Sequence, residues 1–73
     1  MRITYPAEQE WQDLHAQLAN IRKPSRMTRA WLEQQTTDTL ILLRRKYEIE
    51  SAWGDRRAGH RVVNINAVMR TRR

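Results

Sequence analysis

Cysteine and phenylalanine are absent from this chain of 73 residues, and glycine and proline occur only twice each. Without cysteine, neither a disulfide nor a thiolate–zinc site can brace the fold, so a small hydrophobic core must hold it alone. The longest apolar run, Leu40-Ile41-Leu42-Leu43, has four residues, far short of the roughly 20 that a membrane-spanning helix needs. The start goes from Arg2 to Pro6 and Glu8 without the apolar core of a signal peptide. These gaps predict a soluble cytoplasmic protein with no membrane partner, built as one small domain.

The groups that catalysis and cofactor binding require are also sparse. Gly54 and Gly59 are not followed by Lys-Ser or Lys-Thr, so no phosphate-cradling loop is present. His15 and His60 are the only histidines, and neither has a second metal ligand at a suitable spacing. His15 lies beside an apolar stripe and suits a structural role, while His60 suits an ordinary surface position. Glu8 with Glu10, and Glu48 with Glu50, are i, i+2 pairs that diverge on a helix and form no carboxylate dyad. No nucleophile, base and orienting group come together. The expectation is a binding protein with no enzymatic activity, cofactor or metal.

Charge is what the chain does have. Fourteen Lys and Arg against eight Asp and Glu give a net charge of +6, and only Lys23 and Lys46 of the fourteen are not Arg. Residues 1–20 are net acidic, whereas residues 54–73 hold six Arg and one Asp. Such a basic end attracts anionic partners over about a Debye length. Guanidinium also grips phosphate or carboxylate in a bidentate fork that ammonium cannot make. Arg22, Lys23, Arg26 and Arg29 form one cluster. Arg44, Arg45 and Lys46 form a second, on the polar side of a helix, and Arg56, Arg57 and Arg61 form a third.

The periodicity predicts helices. Trp11, Leu14, Leu18 and Ile21 fall on one face of a helix over residues 6–23, with Thr4 as its cap, Pro6 in its first turn and Pro24 as its stop. Ser25 can cap a short second helix carrying Met27, Ala30, Trp31 and Leu32. Residues 35–39 are poor helix formers rich in capping groups, so they break the chain before a third helix at about 39–53, capped by Thr37 or Asp38. Leu40, Leu43 and Tyr47 line one face of it, with Leu42, Ile49 and Trp53 on an adjacent one, a stripe wide enough to sit against both earlier helices. Trp11, Trp31 and Trp53, one per helix, are suited to hold the core, and Trp53 can alternatively anchor a partner.

Residues 54–60 contain both glycines and predict a mobile or sharply turning loop. The β-branched residues 61–66 suggest a strand that can pair with Arg2-Ile3-Thr4-Tyr5. The expected architecture is therefore mainly α. It is a compact three-helix domain over residues 1–66, with room for a short two-stranded terminal pairing, followed by a flexible basic tail over residues 67–73. A helix-turn-helix fits poorly, because the would-be recognition helix opens on Thr39-Leu40-Ile41-Leu42-Leu43 and base edges are read by polar side chains.

A strand-like start at residues 1–5, a helical middle at 8–53, and an Arg-rich end (Arg56, Arg57, Arg61, Arg70, Arg72 and Arg73) span the whole length. In this overall character the chain resembles small phage-encoded transcription regulators that bind the host's RNA polymerase, of the kind found in a Xanthomonas phage. The resemblance implies a monomer in the host cytoplasm that grips the amino-terminal part of the polymerase β′ subunit near the RNA exit channel. It implies hindrance of initiation by disfavouring the σ factor, and read-through of terminators with the host factor NusA. On this expectation Ile3, Tyr5, Arg22 and Arg26 are docking residues, and Arg56, Arg57, Arg61, Arg70, Arg72 and Arg73 face nascent RNA. The alternative is an RNA- or DNA-binding helical module that acts through phosphate contacts alone.

Overall fold

The computed structural model describes residues 7–72, and among these the chain is mainly α, with four helices and no strand. Helix α1 spans Glu8–Gln17, α2 Arg29–Glu33, α3 Thr37–Ala52 and α4 Arg56–Arg70. Ile3, Tyr5 and the other residues of the expected first strand lie outside the described residues, as does Arg73.

Helix α1 is shorter than its apolar spacing suggests. It starts after Ala7, which sits in the left-handed region at φ 63°, and no side chain caps it. At its other end the ladder tightens: Ala19 N–H donates to Ala16 O at 3.2 Å and Ile21 N–H to Leu18 O at 3.1 Å. The chain leaves the helix well before Pro24, whose ring disfavours helical geometry only at Lys23. Leu18, in this turn, is nevertheless completely buried.

The next two helices are each capped by a threonine other than the expected residue. Thr28 Oγ1, not Ser25, accepts from Trp31 N–H and starts α2. Thr36 Oγ1, not Thr37 or Asp38, accepts from Thr39 N–H and starts α3. Either hydroxyl satisfies an amide that the helix itself leaves without a partner, an interaction worth about 1 kcal/mol. The break lies at residues 34–36, so of the expected 35–39 only the first two positions fall in it, and residues 37–39 form the first turn of α3.

The largest correction concerns residues 56–70. The expected loop, strand and start of the tail form one fifteen-residue helix. Asp55 nucleates it: its carboxylate accepts from Arg57 N–H at 2.9 Å and Ala58 N–H at 3.3 Å. The turn from α3 is made by Trp53, Gly54 and Asp55, and Gly54 takes φ +107°, a conformation that L-residues rarely adopt. Ala58, Ile65 and Val68 then fall at i, i+7 and i+10 and are all fully buried. Burial of this face against α3 outweighs the weak helix propensity of Val62, Val63 and Ile65. Ala67–Arg70 is the last turn of α4, not the start of a tail.

Helix α3 is the central element. Its most extensive interface is with α4, α1 packs on its other flank, and α2 packs on α4. The core comprises Leu18, Leu32, Leu40, Leu43, Tyr47, Ala58, Ile65 and Val68, with Ile21, Met27, Trp31, Leu42, Val62 and Met69 half-buried around it. Gly59 allows α3 and α4 to approach: a Cβ there would lie 3.3 Å from Ser51 Oγ. Trp11, Trp31 and Trp53 are half-buried and rim the core instead of filling it.

Candidate anion-binding surface

Ion pairing divides the basic residues into two populations. Arg45 grips Glu10 with two hydrogen bonds, of 2.6 and 3.0 Å, fastening α3 to α1. Glu10 is held below the usual carboxylate range, chiefly by the Arg45 hydrogen bond. Arg44 lies 3.9 Å from Glu48 and donates to Asn66 Oδ1 at 3.2 Å. Arg29 pairs with Glu33 at 3.2 Å. The second sequence cluster is thus largely neutralised by structural contacts. Among the described residues, none of Arg22, Arg26, Arg56, Arg57, Arg61 and Arg70 pairs with a carboxylate.

Three of these unpaired arginines converge. Arg26, Arg57 and Arg61, with Ser25, Met27 and His60, line an open groove of about 370 Å³ that contains no acidic side chain. One wall is the irregular segment between α1 and α2, which holds Pro24. The other is the start of α4, where Arg57, His60 and Arg61 stand at i, i+3 and i+4 and so share one helix face. Helix α4 has no acid in its first turn, and its N-terminal end is itself partially positive. Asp55 at the cap is the nearest carboxylate in sequence, and its Oδ1 is engaged by two backbone amides.

Behind the groove lies a second cationic group. Lys46 is almost buried, with its ammonium 2.9 Å from Glu50 Oε2, 5.6 Å above the Trp11 ring and 5.0 Å from the Tyr47 ring. It does not belong to a polar helix face, contrary to the sequence pattern. Glu50 Oε2 also accepts from Trp11 Nε1 at 3.1 Å. Trp11 completes the cluster by stacking on His15, with centroids 5.0 Å apart, and tilting against Trp53 at 5.7 Å. Burial, then the neighbouring Lys46 ammonium, hold the Lys23 amine below its ordinary value, with Arg61 adding to the effect and Glu50 opposing it. Arg61 lies 5.1 Å from the Tyr47 ring, so it joins this cluster to the groove. Burial pushes the Tyr47 hydroxyl up, against the opposing influence of Arg61.

The other expected contact residues are dispersed. Arg70 lines a separate groove of about 340 Å³ with Arg44, Asn66 and Met69. Arg72 does not hang free: its guanidinium donates to Glu33 O at 2.9 Å and Thr37 Oγ1 at 3.2 Å, tying the end of α4 to α2 and α3. Arg56 and Arg22 are exposed and outside the groove lining. Arg26, assigned to a docking surface by sequence, shares the groove with Arg57 and Arg61. Lys23, Lys46, Glu50 and His60 were not singled out by sequence as site residues. The spacing of Arg57, His60 and Arg61 would have revealed one basic face had residues 56–61 been assigned to a helix.

No helix among the described residues is long and apolar enough to cross a membrane. Among the same residues, no group of three or more His, Cys, Asp or Glu side chains is placed to hold a metal ion. Comparison with protein-family models, curated proteins and solved structures returns no match.

Proposed function

We propose that this protein is a small, non-enzymatic regulator of the phage type that docks on host RNA polymerase and holds a basic surface against nucleic-acid phosphate. The observation that carries the phosphate-facing part is the groove in which Arg26, Arg57 and Arg61 meet without a carboxylate. The resemblance in length, helical middle and Arg-rich end supplies the polymerase. On this reading the docking site lies at the amino-terminal part of β′ near the RNA exit channel. Binding there disfavours σ during initiation and, together with NusA, promotes read-through of terminators. Ile3, Tyr5 and Arg22 remain docking candidates, whereas Arg26 moves to the nucleic-acid side with Arg57 and Arg61.

The same groove favours a second reading, in which the chain binds RNA or DNA unaided, since unopposed guanidinium groups attract phosphate whether or not a polymerase is present. A pull-down from host lysate on the immobilised protein at ~150 mM salt, where exposed charges are largely screened, separates the two. Recovery of polymerase after nuclease treatment is expected for the regulator. Recovery of nucleic acid alone, lost on nuclease treatment, would transfer the assignment to the stand-alone module.

A further inference from the structure

We infer that the groove between residues 25–27 and the first two turns of α4 binds the sugar–phosphate backbone of single-stranded nucleic acid without selecting bases. This deepens the proposed function and rests on its premise that the groove faces nucleic acid. The lining specifies the ligand class. Three guanidinium groups, one imidazole and the Ser25 hydroxyl are all suited to phosphate oxygens, and among the described residues Met27 supplies the only apolar side chain.

The groove also lacks the side-chain amides that select adenine. Among the described residues the only ring in its lining is His60, on which any base can stack, and no Asn or Gln amide is available for a base edge. A concave site of about 370 Å³ accepts a strand that can bend into it more readily than the stiff, convex backbone of a duplex.

Its charge is poised for an anion. Arg26 and Arg57 have no carboxylate partner among the described residues. Arg61 is braced on the Tyr47 ring, which limits the rotamer freedom lost on binding. Lys23 and Lys46 stand around Glu50, and the Lys23 amine is held below its ordinary value first by burial, then by the Lys46 ammonium, with a smaller push from Arg61.

The test uses the intact protein and fluorescent twelve-nucleotide oligouridine and oligoadenosine, with anisotropy followed over a range of salt. Three phosphate contacts to a single strand predict a slope of log K against log salt near −2, from about −0.7 per contact. The R26A/R57A variant is expected to bind at least ~10-fold more weakly at low salt and to flatten the slope towards ~−0.7, the value for Arg61 alone. Both side chains are exposed and without a carboxylate partner, so the fold should survive, which circular dichroism checks. The R26K/R57K variant keeps the charge and should keep the slope. The two homopolymers should bind equally within ~3-fold, since stacking on His60 is sequence-tolerant and no Asn or Gln amide reads a base edge.

Wild-type affinity and slope in R26A/R57A would overturn the inference, as would a ~10-fold preference between the homopolymers. Either result leaves polymerase capture after nuclease treatment untouched. Loss of that capture with a positive groove result would instead remove only the polymerase reading.

Discussion

Replacing Glu50 with Gln should destabilise the protein far more than replacing its partner Lys46 with Met. The Glu50 and Lys46 side chains are 19% and 8% exposed, and their charged atoms lie 2.9 Å apart. E50Q leaves Trp11 Nε1 with an acceptor but strands the Lys46 ammonium beside Lys23 and Arg61. Breaking a buried pair by removing one partner costs about 3–5 kcal/mol. Partial exposure and the rings of Trp11 and Tyr47 put the expected loss near the lower end, ~3 kcal/mol. A chain of this size has a total stability of about 4–11 kcal/mol, so E50Q removes a large share of it and lowers Tm by roughly 12–24 °C. K46M keeps the buried stem and leaves Glu50 with Trp11 and the field of Lys23, so its cost should stay below ~1 kcal/mol. The double variant should recover most of the E50Q loss, a coupling that a double-mutant cycle in urea measures directly. An E50Q cost below ~0.5 kcal/mol, or equal costs for the two single variants, would refute the reasoning.

Three further outcomes follow from the same structure. G54A should cost about 1 kcal/mol through backbone strain at φ +107° alone, because a methyl group there meets nothing within 4 Å; a larger loss by thermal denaturation would show a packing role. L43A, at a completely buried site on the α3 face of the core, should cost about 2–5 kcal/mol in urea denaturation. Because the folded-state pKa of Glu10 is lowered by its hydrogen bond from Arg45, its contribution is present above the ordinary value of 4.5 and is lost as pH falls through the folded value. E10Q should therefore flatten the acid limb of the stability–pH curve, and an unchanged limb would remove the pair from the account.

The legible part of the fold was the part in which the apolar period is unambiguous, while the capping residues were each displaced. Leu40, Leu43 and Tyr47 announce α3, whereas α1 ends at Gln17, seven residues before the expected stop at Pro24, and only residues 35 and 36 of the expected 35–39 break lie outside a helix. Helix α4 was obscured because its local preferences conflict with its packing. Gly59, Val62, Val63 and Ile65 are individually poor helix formers, and only the burial of Ala58, Ile65 and Val68 against the rest of the core repays them. That one error dispersed the site, since Arg57, His60 and Arg61 form a single face only on a helix. Arg26 was visible as a charge, but its approach to α4 depends on tertiary packing that no local pattern encodes. Lys46 was taken for a surface residue because its charge masks its register, three residues after Leu43 and four before Glu50. Arg72 was assigned to a tail because its acceptors, Glu33 O and Thr37 Oγ1, lie 35 or more residues away.

The most direct test of the central claim is an NMR titration of the isotopically labelled protein with a short oligouridine, following backbone amides and arginine Nε–H signals. Shifts concentrated at residues 25–27 and 57–61, with the Arg26, Arg57 and Arg61 side-chain signals moving together, are the predicted result. Saturable shifts centred on Arg44 and Arg70, or no shifts at oligonucleotide concentrations well above that of the protein, would contradict it.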